Sequence, residues 1–541
     1  MEEEKKEVST EEAVEEKKKE KKKSGLLVVL LILLLACGCC YVMFIKPTNK
    51  TEKTDVKTKD VKSEYRMSGN SLENFDLAFL KLENEAKNKV YSPLSIKYAL
   101  EMLAEGADGD TKAQLDAVIG DYEARKYDNN EHMSFANAMF IKNTYSEAVK
   151  KEYVENITTK YNAEVIYDPF ESPDNINSWV SNKTFNLVNN LLDDVSSNDY
   201  FLINALAIDM NWKNQIHCAE GHQIPCIGNG TYHIGYAHEK IADDDNMAYS
   251  ETDYPYGGIE NFPALDFNGV GSVNSAEVLA DFNRYDIIKD LGEDKIRSEV
   301  TEAYKEWLAS EDGKMYVKYT PEAANVESAV NEYIEEIKTN YGKAANSTDF
   351  LLYDGEDVKA FAKDLEEYNG TTLQYVGIMP KEKALTDYVN DIKADDINNV
   401  ISNLKEVKID SFKEGVATII RGYIPFFKFE YELKLMEDLK KLGIKDVFDE
   451  KKSNLSKLSE GSTINKAIHK ANIEFSNDGI KAAAATAMGG YGAASGGFEY
   501  LYKIPVEKID ITFDKPYMYI IRDKATGEVW FAGTVYEPIK K

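Results

Sequence analysis

The side chains of this sequence that could carry out chemistry cluster shortly after Trp212. Histidines and cysteines follow one another there as His217, Cys218, His222 and Cys226, with His233 and His238 nearby. Such nitrogen and sulfur ligands can bind zinc, but their spacing fits no common zinc motif. In an oxidising compartment a Cys218–Cys226 disulfide is the simpler interpretation. We therefore predict the disulfide, with a metal site or two free thiols as the alternatives.

No pattern that carries a catalytic mechanism stands in a suitable place. The chain offers no G-x-S-x-G elbow, no H-E-x-x-H helix, no Walker loop and no well-placed G-x-G-x-x-G turn. Only six histidines are present, and no triad can be assembled from their spacing. We expect no enzymatic activity, no catalytic residues, no bound metal and no cofactor.

The charge balance bears on possible partners. Acidic residues outnumber basic ones by 94 to 65, which gives a formal net charge of −29. Sequence-independent binding of nucleic acid needs a basic face, so we expect no nucleic-acid partner. The hydrophobic fraction of 43% is ample for a substantial core in a monomer.

The N-terminal segment has the composition of a membrane anchor. Residues 1–24 are mostly Glu and Lys and predict a charged cytoplasmic tail. Residues 25–45 carry no charge, and their 21 residues make a helix of about 31 Å, enough to cross a bilayer. Because lysines flank this span on its N-terminal side, we expect a single-pass protein with everything after Lys46 outside the cell. Residues 46–67 are polar and predict a flexible stalk.

A second interpretation of the anchor is a lipoprotein signal. Leu34-Leu35-Ala36-Cys37 resembles a bacterial lipobox, in which the signal is cut and Cys37 is lipidated. However, the sequence stays mostly apolar from Gly38 to Ile45, and the charged segment before the span is long for a cleaved signal. We favour an uncut signal-anchor. Both interpretations tether the main domain outside the cell.

The remaining chain, residues 68–541, mixes helices and strands without regular βαβ alternation, which predicts the α+β class. Ser92-Pro93 can start a helix, with Ser as cap and Pro in the first turn. Residues 176–192 are interpreted as one helix, and residues 201–212 as a largely buried strand. Residues 287–308 have the pattern of a helix pair broken at Gly292.

Several ordered blocks of the sequence resemble the serpin family. Residues 92–114 follow its "SPLSI…AL.ML..GA.G.TKAQ" pattern almost continuously, and residues 203–213 resemble a strand of its central sheet A. The C-terminal blocks are residues 424–429, 442–448, 469–471, 513–516 and 531–538. The resemblance implies a serpin fold with three β-sheets, about nine helices and an exposed reactive loop. The interval at about 240–349 departs from the pattern as a long insertion, either a surface addition with its own core or an exosite for a protease.

The resemblance also implies a mechanism. A target serine protease cleaves the exposed loop and is held as a covalent acyl complex while the loop inserts into sheet A, a strand addition known for this family. The match places the hinge at Gly479 and the inserting residues after it. Alternate side chains of a strand face opposite ways, so Ile480, Ala482, Ala484 and Thr486 face the protein body. This inward set has no charge and no proline, which suits insertion.

The family spacing from Gly479 places the cleaved bond between Ala493 and Ala494. The fourteen residues from Ile480 to Ala493 would carry a trapped protease about 46 Å. Small residues beside the bond suit an elastase-like or subtilisin-like protease. The segment after the bond is about a dozen residues longer than the family pattern, which leaves the alternative of a non-inhibitory serpin that acts as a binding module.

The resemblance gives four further residues a role in controlling the sheet. Ser92, Asn204 and His469 match positions that meet beneath sheet A and govern its opening. Trp212 matches the aromatic residue where the loop first enters. A buried histidine with satisfied hydrogen bonds is equally the plain structural interpretation of His469.

Overall fold

The computed structural model describes residues 62–213, 238–240, 247–249, 265–280, 291–336, 338, 347–408, 417–476, 478–481, 498 and 506–540. The predicted tail and membrane span lie outside these residues, as do Cys37, Cys218 and Cys226. Within the described part, no helix is long and apolar enough to cross a membrane. No cluster of three or more His, Cys, Asp or Glu side chains in that part could hold a metal ion.

Helices and strands alternate irregularly, in agreement with the predicted α+β class. The described residues contain eleven α-helices: α1 (Asn74–Leu82), α2 (Pro93–Gly106), α3 (Gly109–Ile119), α4 (Lys151–Tyr161), α5 (Asp174–Lys183), α6 (Glu293–Ala309), α7 (Glu311–Tyr319), α8 (Val326–Glu336), α9 (Leu385–Asp391), α10 (Ala394–Asn403) and α11 (Leu435–Leu442). Short 3₁₀ turns occupy Ser63–Tyr65, Asn143–Ala148, Phe267–Gly269, Pro321–Ala324 and Asp446–Phe448. The family resemblance predicts about nine helices. Three of the eleven α-helices belong to the interval predicted to be an insertion.

Helix α2 begins where the sequence predicts. The Ser92 hydroxyl accepts a hydrogen bond from the Ser95 amide at 3.0 Å, and Pro93 occupies the first turn. This cap satisfies one of the amides that have no partner within the helix. The helix ends at Gly106, where a Cβ atom would lie only 2.8 Å from the Cβ of Leu458. Close packing at both ends therefore fixes α2 beneath the central sheet.

The strands form several sheets. They are β1 (Lys89–Tyr91), β2 (Met133–Lys142), β3 (Glu164–Asp168), β4 (Tyr200–Ile208), β5 (Met210–Asn211), β6 (His238–Lys240), β7 (Met247–Tyr249), β8 (Leu265–Asp266), β9 (Ser272–Val273), β10 (Ser275–Ala280), β11 (Ser347–Asp354), β12 (Val358–Tyr368), β13 (Thr371–Pro380), β14 (Lys405–Lys408), β15 (Ala417–Pro425), β16 (Phe427–Leu433), β17 (His469–Phe475), β18 (Gly479–Lys481), β19 (Val506–Asp510), β20 (Tyr517–Asp523) and β21 (Val529–Val535). A seven-stranded sheet has the order β1-β21-β20-β13-β12-β11-β14, and a five-stranded sheet has the order β10-β15-β19-β6-β7. A two-stranded sheet pairs β8 with β9.

The large central sheet consists of two parts. One part has the order β3-β2-β4, and the other has the order β16-β17-β18-β5. Strand β5 follows β4 after a single residue, Asp209, so the two parts meet along one stretch of chain. Between them, β4 and β17 flank a gap that the short strand β18 fills at one end only. We call this gap the slot, and the end occupied by β18 the hinge end.

Aromatic side chains fill the core behind the hinge end. The Tyr375 ring stacks on Phe361 at 5.5 Å and on Tyr519 at 5.5 Å between centroids. Phe475 of β17 packs against Phe427 at 5.3 Å and against Tyr375 at 5.1 Å. Rings at such separations attract one another beyond the gain from burial alone. Strand β17 is thus fixed at the end that meets β18.

The described part of the insertion, residues 291–336, is helical. Helix α6 begins directly after Gly292, as the sequence predicts, and α8 lies against it through buried Val300 and Ile334. The turn from α6 into α7 is tight, because a Cβ atom at position 313 would lie 2.1 Å from the carbonyl oxygen of Trp307. The side chains that these helices bury belong to the same hydrophobic cluster as the core of the other described residues.

Candidate functional site: a slot in the central sheet

The hinge end of the slot is closed by β18. Gly479 pairs with Asn211 and Ile480 with Met210, and on the other side Ile480 pairs with Phe475. A Cβ atom at position 479 would lie 2.1 Å from the carbonyl oxygen of Met210, so only glycine fits there. Ile480 is 2% exposed and belongs to the hydrophobic core. The structure therefore places the first residues of the predicted hinge in the sheet, with Ile480 facing the protein body.

Trp212 covers the same end. Its indole Nε1 donates a hydrogen bond to the carbonyl oxygen of Ser476 at 2.9 Å, and its backbone amide donates to that of Asp478 at 2.7 Å. Its buried ring lies 5.3 Å from Phe475 and 6.0 Å from Tyr375 between centroids. Trp212 thus connects β5 to the chain entering β18, which is where the sequence comparison placed it.

Beyond β18 the slot is open. Among the described residues, no backbone hydrogen bond joins β4 to β17 along Tyr200–Ile208 and His469–Phe475. A cavity of about 70 Å³ lies between the strands, and its lining includes Ser92, Asn204 and His469. The structure therefore brings together the three residues that the sequence comparison assigned to the opening of the sheet.

The histidine in this cavity is held neutral. The backbone amide of Ser92 donates a hydrogen bond to His469 Nε2 at 2.8 Å. An accepting Nε2 places the ring proton on Nδ1. Burial lowers the pKa of His469 to about 4, because the charged form would lose its hydration. The cap of α2 and strand β17 are therefore joined by a bond that a proton would break.

Asn204 faces the slot from the opposite strand. Its Nδ2 donates to Asn137 Oδ1 at 2.7 Å, and Asn137 Nδ2 donates in turn to the carbonyl oxygen of Tyr161 at 2.8 Å. The Oδ1 atom of Asn204 is buried and has no hydrogen-bond partner in the described structure. A buried acceptor without a donor costs free energy. The open slot therefore contains an acceptor that an added strand could satisfy.

Residues 184–192, which the sequence pattern predicted to be helical, lie over the open part of the slot. The prediction of one helix over residues 176–192 was wrong, because α5 ends at Lys183. Phe185 and Asn186 then adopt positive φ angles of 52° and 61°, which no helix tolerates. We call residues 184–192 the cover segment. The signal available in the sequence was its asparagines, which favour turns over helix interiors.

Few polar contacts hold the cover segment on β17. Asn472 Nδ2 donates to the carbonyl oxygen of Leu187 at 3.3 Å, and Lys470 Nζ donates to that of Asn190 at 3.2 Å. Val188 and Leu191 line the same cavity as His469. The cover segment therefore rests over the path that an inserting strand would take.

The rest of the predicted loop lies outside the described residues. This applies to Ala482, Ala484 and Thr486 of the hinge, and to Ala493 and Ala494 at the expected cleavage site. The predicted Cys218–Cys226 disulfide lies outside them too. The chain is described again at Phe498 and from Val506, where β19 begins. The loop thus runs from the hinge end of the slot to the five-stranded sheet.

Comparison with known proteins accounts for this arrangement. The chain matches the family model of the serpins (serine protease inhibitors) over residues 73–223 and 349–538, which is more than half of its length. The chain therefore belongs to the serpin family. Serpins inhibit proteases and do not catalyse a reaction of their own, so this protein is not an enzyme. The unmatched interval contains the helices α6 to α8.

The relatives and the solved structure that resemble this chain match it over different shares of its length. Neuroserpin of Mus musculus is 23% identical over 485 residues, which cover 84% of this chain and 87% of neuroserpin. Leukocyte elastase inhibitor A of Rattus norvegicus is 30% identical over 173 residues, or 32% of this chain and 42% of the relative. The native structure of the thermophilic serpin tengpin matches with a TM-score of 0.53 and 19% identity, covering 86% of this chain and 93% of tengpin.

Proposed function

We propose that this serpin is an inhibitor of serine proteases that acts by cleavage of its loop and insertion of the cleaved end into the slot. The observation that carries the proposal is β18, which already pairs with strands on both sides of the slot. Strand β18 is antiparallel to β17 and to β5. Extension of β18 would therefore complete an antiparallel sheet and supply the backbone hydrogen bonds that β4 and β17 lack.

The register of β18 predicts where the loop residues would go. Each further residue of the loop would meet the preceding residue of β4, so Thr486 would lie opposite Asn204 on that side. On the other side, the pairing of Ile480 with Phe475 places Thr486 opposite His469. The hydroxyl of Thr486 could then donate to the unpartnered Asn204 Oδ1. The inserted strand would place a small polar side chain where the slot has a free acceptor.

The direct test mixes the full chain in detergent with elastase-, subtilisin-, chymotrypsin- and trypsin-type proteases. The expected product is a covalent complex that survives denaturing electrophoresis, together with a released fragment that begins at Ala494. The name of the rat relative, an elastase inhibitor, supports an elastase-like target. If each protease cut the loop and remained active, the alternative of a non-inhibitory binding module would take the place of inhibition.

A pair of loop variants tests insertion itself. Ala484→Arg would bring an unpaired charge to the body side of the new strand, where burial costs several kcal/mol. Ala483→Arg would place the same charge on the opposite side, two residues from Lys481. We expect the first variant to be cleaved without trapping the protease and the second to trap it. Equal trapping by both variants would contradict insertion in this register.

We further propose that residues 25–45 tether the inhibitor to a membrane, with the serpin domain on the outer face of a bacterial-type cell. The uncharged length of the segment and the lysines before it support this topology. Proteolysis of intact cells should release the domain, and Cys37→Ser should leave the attachment unchanged if the anchor is a transmembrane helix. Loss of attachment in Cys37→Ser would show a lipoprotein anchor instead.

A further inference from the structure

One loop residue is held by the insertion. Phe498 lies between β18 and β19 in the sequence, five residues beyond the expected cleavage position at Ala493. Its ring centroid is 4.7 Å from that of Tyr304, with the two planes at 83°. It also lies 5.7 Å from Trp307 and 5.8 Å from Tyr333. Edge-on and tilted pairs at these separations are attractive, so three rings of the insertion form a binding site for Phe498. We call them the aromatic socket.

The socket is built independently of the loop. The Tyr304 hydroxyl donates to the carbonyl oxygen of Ala323 at 2.7 Å, and the Tyr304 ring lies 5.3 Å from Trp307. Trp307 packs in turn on Tyr316 of α7, at 5.3 Å. Each of the three helices thus contributes a ring or fixes one. Such support holds the socket in place and lowers the entropy lost when Phe498 binds.

The socket divides the loop into two arms. The N-terminal arm starts at Lys481 in the sheet and contains the inserting residues, whereas the C-terminal arm follows Ala493 and is attached at Phe498. Only residues 494–497 lie between Ala493 and Phe498 in the sequence, and an extended chain of this length spans at most about 18 Å. Cleavage between Ala493 and Ala494 separates the arms, so a cleaved N-terminal arm can leave while Phe498 stays in its socket.

An uncleaved loop can insert only if its C-terminal arm is long enough to follow the inserted residues. Residues 482–493 inserted along the slot would reach about 40 Å beyond Lys481. The five-stranded sheet that contains β19 adjoins the hinge end, because β15 continues directly into the end of β16 that pairs with Phe475. With the socket empty, the twelve residues 494–505 could span up to about 43 Å and return to Val506. With Phe498 bound, residues 494–497 alone connect Ala493 to the socket, and their reach of about 18 Å is less than half of the roughly 40 Å that the inserted residues would extend.

We infer that the aromatic socket of the insertion binds Phe498 and thereby restricts insertion to a cleaved loop. Phe498 is a positioning residue in this scheme. The inference rests on the proposed inhibitory function, since it explains how an inhibitor with a long C-terminal arm keeps its uncleaved loop available. It also assigns a role to an insertion that the family model does not match.

The test uses the full chain in detergent, with and without Phe498→Ala. Both proteins are incubated at a mildly raised temperature, and the fraction whose loop has become resistant to cleavage is followed over time. Loss of this partly buried aromatic contact predicts conversion about 10- to 100-fold faster in Phe498→Ala. Phe498→Leu, which keeps apolar bulk, should fall between the two. Equal rates in Phe498→Ala and the unchanged chain would overturn the inference.

A second readout reports on the socket directly. Trp307 is one of only four tryptophans, so its fluorescence can be isolated by comparison with Trp307→Phe. Phe498→Ala should shift the emission to longer wavelength, and this shift should vanish in the Trp307→Phe background. An unchanged emission would show that Phe498 does not pack on Trp307 and would overturn the inference. Neither readout requires a trapped protease, so failure of the inhibitory proposal and failure of this inference can be told apart.

Discussion

The two ends of the slot are held by different physical means. At the hinge end, β18 pairs on both sides and Trp212 seals the chain with one side-chain and one backbone hydrogen bond. At the other end, Asn204 and His469 face a cavity, and the cover segment is held by two polar side chains of β17. The hinge end is thus paired on both sides, whereas the cover segment has two polar contacts with β17 and further hydrogen bonds to Asn177 of α5. We therefore expect an inserting strand to enter the slot from the hinge end.

The largest effect is expected from removing the seal of the hinge end. Trp212→Ala leaves a cavity among Phe475 and Tyr375 and should lower the free energy of unfolding by about 3–5 kcal/mol. Trp212→Phe keeps most of the ring and loses only the bond to Ser476, for a cost of about 1–2 kcal/mol. Urea unfolding of the two variants measures both values. Similar losses in the two variants would show that the hydrogen bond, and not the ring, seals this end.

Acidification should lower the free energy of unfolding through His469, at the open end of the slot. The pKa of His469 in the folded protein, about 4, lies below its ordinary value of 6.5, so the folded state binds fewer protons than the unfolded state between these values. The stability that the neutral His469 gives to the folded state is fully present above about pH 6.5. It is lost as the pH falls towards 4, by at most about 3 kcal/mol. Free energies of unfolding measured across this pH range should therefore decrease as the pH falls.

The matched control for this prediction is a second histidine. His469→Gln should flatten the dependence of stability on pH, whereas His132→Gln, a change outside the slot, should leave it in place. A slope that survives in His469→Gln would assign the pH dependence to other groups.

Closing the hinge end sterically tests the direction of entry. Gly479→Val places a side chain against the Met210 carbonyl oxygen, and overpacking of this kind costs about 1–3 kcal/mol. Because β18 would leave the sheet, we expect the yield of covalent protease complex to fall about 5- to 150-fold. Gly69→Val is the control, since a Cβ atom there meets nothing within 4 Å. A normal yield from Gly479→Val would mean that the loop enters without β18.

The smallest effect concerns the cover segment. Asn472→Ala removes one hydrogen bond to Leu187, worth about 0.5–1.5 kcal/mol, and should accelerate insertion about 2- to 10-fold. Lys428→Ala on neighbouring β16 is the control, because its ammonium contacts Glu474 of β17 at 2.9 Å. Stopped-flow measurement of complex formation compares the two. Acceleration in both variants would point to a general loosening of the sheet.

The helices and strands nearest the family blocks were readable from the sequence. Ser92 and Pro93 start a helix, and residues 201–212 are largely extended, as the two strands β4 and β5 on either side of Asp209, because caps and apolar runs act locally. The same local reasoning failed for residues 176–192. There, contacts with β17 from across the sheet stabilise an irregular segment, and positive φ angles at Phe185 and Asn186 end the helix early.

The sequence by itself determined that this chain is a serpin, and it predicted a hinge fit for insertion, since the motifs and the alternation of small residues can be read along the chain. Only the tertiary structure decided how far β18 has entered the slot, that Asn204 Oδ1 is buried without a hydrogen-bond donor, and that Phe498 lies among the rings of an insertion more than 160 residues earlier in the chain. The physical reason is that burial, register and ring packing arise between segments far apart in sequence. No local pattern encodes them.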